Sequence, residues 1–195
     1  MKFSSADTGE PKRPTPGPPS RLRSAAARIG LLAGILVGLL GFSSLGGTPV
    51  ASAAEAATTV HEAQTFLTLT NRLRASLGQQ PLVARGDLVA MACGWASEIA
   101  RVGEISHSPQ MADRQLLSAQ IGTDWSSVGE NAGSGPDAGV IHGALVDSPA
   151  HYRNLVNAEF VYVGICVRHD TNGSLYVVQE FLTPRPSPKA RRARR

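Results

Sequence analysis

The chain is poor in the patterns that announce catalysis. It holds only two cysteines, Cys93 and Cys166, too few for a four-thiolate zinc site. It has no G-x-S-x-G nucleophile elbow, no P-loop and no Rossmann glycine triplet. Those absences remove the readiest arguments for a serine hydrolase, a nucleoside triphosphatase or a dinucleotide-dependent enzyme. The stretch HEAQT (61–65) opens like a zinc-binding H-E-x-x-H helix, but Thr65 stands where the second histidine is needed. His61 is therefore set aside as a ligand, and Glu62 is read instead as half of a T-x-x-E capping box with Thr59.

Long apolar runs are scarce too. The most apolar stretch, LLAGILVGLLGF at 31–42, falls below the ~20 residues of a bilayer span. Six basic residues precede it, and ASAA at 51–54 follows with the small-residue spacing of a cleavage site. Residues 1–53 are read as an export signal with a long basic lead-in, favouring cleavage over anchoring. Positive charge is also lacking where a nucleic-acid-binding domain would carry it. Residues 54–184 contain 7 of the 19 basic and 13 of the 15 acidic residues, so the domain is acidic despite a sequence pI near 9.5. A specific nucleic-acid partner is excluded on that ground. The surplus of positive charge lies in PRPSPKARRARR at the end, and residues 184–195 are read as a disordered tail suited to anionic surfaces. Export also bears on the cysteines, which either oxidise to a bridge or remain two buried thiols. Bridging them closes a loop of roughly 74 residues, for which chain entropy gives about 4 kcal/mol.

What is present reads as one domain over 54–183. Apolar residues at helical spacing run from Val60 to Leu77, where Gly78 stops the first helix. Asp87 is positioned to cap a second helix that ends at Gly103, and a third, shorter one fits 113–120. SVGENAG (127–133) suits a strand, and 137–147 suits a helix. Ser148-Pro149 then starts one further helical turn carrying His151. VYVGICVR and LYVVQEFL alternate as strands around Asn172-Gly173, a hairpin signal. Helices first and antiparallel strands after give an α+β domain.

Three polar residues stand in apolar surroundings: His107 in ISHSP, Glu130 in VGENAG and His151 in SPAHYRN. Spacing alone leaves each open to a bland reading. The colinear order of LTNRLRASLGQQPL, CGWASEIARVGEISHS, VGENAG, DSPAHYRNLVNAEFVYVGICV and YVVQEF, covering nearly all of 60–182, resembles the CAP superfamily, in particular its short bacterial extracellular (SCP-like) branch. The resemblance implies a three-layer α-β-α sandwich with a central antiparallel sheet and a surface cleft. It implies that His107 and His151 line the cleft and can bind a divalent metal, often zinc, with Glu130 orienting a water or acting as general base. Many animal members add a second Glu; Asp147 stands near that position, one residue out of register, and is expected to line the cleft. Asn131 and Asn154 are read as structural, pinning loop backbone. Two imidazoles and a water-mediated carboxylate fall short of the three ligands of catalytic zinc, so any metal site is expected to be weak and to empty below about pH 6.5. The function expected is a secreted, monomeric binding module for a lipid or cell-envelope component. The alternatives are a metal-dependent peptidase or esterase using the same cleft, and a structural protein with a vestigial one.

Overall fold

The computed structural model describes residues 2–4 and 49–186, so the apolar segment 31–42 and the tail beyond residue 186 lie outside the described residues. In chain order the elements are β1 (Lys2–Ser4), α1 (Pro49–Ser76), β2 (Val83–Ala84), α2 (Gly86–Val102), a 3-10 turn (Pro109–Ala112), α3 (Arg114–Ile121), β3 (Trp125–Gly135), α4 (Ala138–Asp147), α5 (Pro149–Leu155), β4 (Tyr162–His169) and β5 (Leu175–Pro184).

Local chemistry explains most boundaries. Gly78, at φ +69°, ends α1: Gly78 N–H donates to Ala75 O at 3.0 Å and Gln79 N–H to Arg74 O at 2.9 Å, the double bond of a Schellman stop. Gly103, at φ 77°, closes α2 in the same left-handed region. Asp113 caps α3 by accepting from the N–H groups of Gln115 and Leu116, and Asp137 caps α4 through Val140 N–H. Between the last strands, Asp170 Oδ1 accepts from Asn172 and Ser174 N–H, both at 2.8 Å, and Gly173 takes φ +80°.

Two expected caps are not used. Helix α1 does not begin at Thr59. The alanine-rich run before it has high helix propensity and carries the helix back to Pro49. Thr59 Oγ1 donates to Ala56 O inside the helix, and Glu62 pairs with His169 at 3.2 Å. Asp87 lies within α2, after the cap position of Arg85, and its carboxylate is held by Arg85 at 2.7 Å.

The strand order is β1-β3-β5-β4-β2. All pairings are antiparallel except β2–β4, a two-residue parallel pair at the edge that departs from the all-antiparallel expectation. Alternation along β5 assigns the faces. Leu175, Val177 and Phe181 pack with Phe66, Leu145 and Leu155 of the α1, α4, α5 layer. Tyr176, Val178 and Leu182 pack against Ala92, Ala96, Leu88 and Met91 of α2 on the other face, joined by Leu117 of α3. The result is the α-β-α sandwich expected.

Three contacts lock the layers. The first is close approach at Gly164 of β4, where a Cβ would stand 2.1 Å from Leu88 C and 2.4 Å from Val89 N. Backbone cannot yield there, so glycine lets α2 lie directly on the sheet. The second is a disulfide from Cys93 of α2 to Cys166 of β4, which resolves the open question about the thiols. The third is Arg74. Its buried guanidinium donates to Gln80 O (2.9 Å), Leu155 O (3.1 Å), Asn157 O (2.9 Å) and Phe160 O (3.1 Å).

Gly164→Ala is expected to lower stability by about 3 kcal/mol through overpacking against helix backbone, read as a fall in the urea midpoint at unchanged slope. Arg74→Lys replaces a planar fork by a point donor and strands several buried carbonyls. A loss of about 2 kcal/mol in the same measurement is expected.

Candidate functional site

The expected site residues converge on β3. Glu130 is buried, and its side chain points to the α2 face, as the cross-strand partner of Glu180. The loop leaving α2 comes down on it. Gly103 turns the chain, and Trp95 Nε1 donates to Ser106 O at 2.8 Å to hold that loop against the helix. His107 Nδ1 then meets Glu130 Oε1 in a short hydrogen bond, and Ser108 N–H donates to both carboxylate oxygens, at 3.1 and 3.2 Å. The Glu130 carboxylate thus takes three donor contacts from one loop. His107 Nε2 is buried without a partner among the described residues.

The next residue serves the opposite layer. Asn131 faces α5, donating to His151 O and to Gln179 Oε1, both at 3.2 Å. Asn154 Nδ2 donates to Glu130 O at 3.0 Å and to Asn131 Oδ1 at 2.9 Å. Gly129 permits this approach, because a Cβ there would lie 2.9 Å from both Asn154 Oδ1 and Phe160 Cζ. His151 is buried on α5, with Nδ1 bonded to Ser148 Oγ at 2.8 Å. Ser148, expected to cap α5 through its side chain, makes no such cap bond; its hydroxyl goes to His151 instead.

The structure thus joins His107 to Glu130 on the α2 side and brings His151 to the same strand from the α5 side, stitched by the two asparagines. Asp147 ends α4 and is exposed. The acidic residue set beside Glu130 is Glu180, which sequence reasoning passed over. A signal was present: YVVQEF continues an apolar alternation, so its glutamate takes the phase of Val178 and Leu182 in a strand buried on both faces.

The described residues do not assemble the three-ligand set of a catalytic zinc centre. Among the described residues no three His, Cys, Asp or Glu side chains are grouped to hold a metal ion. Glu130, the carboxylate nearest an imidazole, is already committed to His107 and Ser108. What the arrangement offers is acid–base chemistry: a carboxylate that orients an imidazole through Nδ1 leaves Nε2 as an acceptor. Asn154→Ala should leave two acceptors on β3 short of a donor and cost about 1–2 kcal/mol, seen as a lower urea midpoint.

The comparisons with known proteins agree with this architecture. The outer surface protein of Borrelia burgdorferi superposes with a TM-score of 0.58 at 19% identity, covering 64% of this chain and 94% of that one. An extracellular SCP-domain protein of Bacillus anthracis gives 0.55 at 21% identity, over 73% of this chain and 45% of the other. A cysteine-rich secretory protein of Staphylococcus aureus gives 0.53 at 22%, over 64% and 39%. The chain spans less than half the length of the latter two. No curated protein sequence matches significantly. The model of the cysteine-rich secretory protein (CAP) family matches residues 67–181, more than half of the chain, and the protein belongs to that family.

Proposed function

We propose that this CAP protein is a secreted binding module whose ligand is a single-chain anionic amphiphile from the cell envelope. The observation that carries this reading is an apolar cavity of about 400 Å³ between α1, α2 and β4. Its origin lies in the sheet edge. β2 covers β4 only at Tyr162 and Val163, so the edge beyond is unpaired by any strand among the described residues. The middle of α1 overhangs that edge, and Ala63, Leu67, Val89, Ile165 and Val167 line the space. The volume lies in the range of small-molecule sites, which combine an apolar wall with a few polar groups. Arg168 supplies the charge at the margin, held by Val167 O at 2.8 Å and Ser97 Oγ at 3.1 Å. An acyl chain with an anionic head matches both.

Secretion is supported by the apolar segment at 31–42, the disulfide and the family. The basic tail would add attraction to anionic envelope polymers, screened within ~10 Å at moderate salt. The hydrolase alternative gains nothing from the site, because a metal-dependent peptidase needs a ligand set that the described residues do not group.

The test is binding of a long-chain fatty acid to the delipidated protein, followed by calorimetry. Ala63→Trp, which fills the cavity, is expected to weaken binding by at least about tenfold, and Arg168→Gln to weaken the acid but not the corresponding fatty alcohol. Equal binding by wild type and Ala63→Trp would overturn the assignment of the cavity.

A further inference from the structure

The second carboxyl group at β3 has an environment unlike the first. Glu180 is fully buried at 0% exposure and stands opposite Glu130 in the β3–β5 register, with Gly164 of β4 on its other side. Directly opposed residues put their side chains on one face within contact distance. The two carboxyl groups therefore share one face of the sheet as direct cross-strand neighbours, and neither oxygen of Glu180 has a hydrogen-bond partner among the described residues.

The surroundings of Glu180 are otherwise apolar. On its face it lies between Val178 and Leu182, which meet Leu88, Met91 and Ala92 of α2. Gly164 lets the α2 backbone sit on the sheet here, and Glu180 is shielded from bulk solvent. The charged groups of α2 are engaged elsewhere: Asp87 with Arg85, Glu98 with Arg101. From β3 only Glu130 faces it, and beyond Glu130 stands His107. Glu130 has three donor contacts to its carboxylate from His107 and Ser108, whereas Glu180 has none. Two adjacent buried carboxylates cannot both hold a negative charge without compensation, and the donors decide which one does.

We propose that Glu180 is held as a neutral carboxylic acid donating its proton to the Glu130 carboxylate, so that Glu180, Glu130 and His107 form one proton-sharing chain ending at His107 Nε2. Glu180 is then a positioning residue. It leaves one negative charge on the carboxyl pair, fixes Glu130 as acceptor for His107 Nδ1–H, and so sets the tautomer whose Nε2 accepts. Burial first, and the negative charge of Glu130 second, raise the Glu180 ionisation well above the ordinary carboxyl range, in accord with this assignment. The inference does not depend on what fills the apolar cavity.

The sign of the linkage follows. A folded-state pKa raised above the unfolded value gives stability that is complete below the ordinary glutamate range and is lost as pH rises toward the folded value. Wild type should therefore lose stability relative to Glu180→Gln as pH rises above about 4.5.

The deciding experiment is carboxyl-detected ¹³C NMR on the intact protein, with the Glu180 resonance assigned by its loss in Glu180→Gln. The expected result is a Glu180 signal still protonated at pH 6, above the ordinary range of a glutamate carboxyl. A Glu180 signal that titrates in the ordinary glutamate range overturns the proposal. The His107 Nδ1 proton is the second readout. Glu180→Leu removes the donor, makes Glu130 a stronger acceptor and should move that proton downfield. Glu180→Gln keeps a donor and should move it less than half as far. Equal displacement in both variants would reduce Glu180 to a packing residue.

Discussion

The arrangement depends on a charged side chain used as a bracket for uncharged groups. Arg74 reaches from the last turn of α1 into the segment between α5 and β4 and ends on four carbonyls supplied by Gln80, Leu155, Asn157 and Phe160. Helix ends leave carbonyls without intrahelical partners, and burying them is costly unless a donor arrives. One guanidinium meets that need at the end of α5 and in the chain entering β4. The position of α5 follows, and with it the position of Asn154 and His151 against β3. A side chain with no part in any acid–base step thereby sets where one wall of the site stands.

Strand β3 turns the alternation of a strand into a division of labour. Glu130 addresses the α2 layer and Asn131 the α5 layer, one residue apart. The glycine before them gives up its side chain so that Asn154 and Phe160 can approach. The VGENAG stretch is thus short on bulk and rich in polar reach because two layers meet it at once. Its polar groups are satisfied by a loop on one side and a helix on the other.

Much of this was legible in the sequence, and the exceptions share a cause. Gly78 and Gly103 act through their nearest neighbours, so their stops could be read directly, and the helices over 113–120 and 137–147 were legible although the caps Asp113 and Asp137 provide were not named. Thr59 and Asp87 also carried local signals, but a run of alanines upstream and a partner at Arg85 overrode them. The pairing of Cys93 with Cys166, the two-residue β2 and the reach of Arg74 depend on residues distant in sequence. No local pattern specifies them. The site divides in the same way. His107, Glu130 and His151 were singled out through the order of motifs. Glu180 was hidden because it stands within a strand whose two faces are both buried, where a charged residue looks like an interruption of an apolar run.

The disulfide has one more consequence. His107, Glu130, Asn131, His151 and Asn154 all lie inside the covalent ring that Cys93 and Cys166 close across 73 residues. The ring includes the exposed turn at Gly122–Asp124, a natural point of attack for an endoprotease. A cut there opens the ring but releases no fragment, because both new ends stay tied through α2 and β4. Where thiols remain oxidised, the site can survive a nick that would dismantle an unbridged domain.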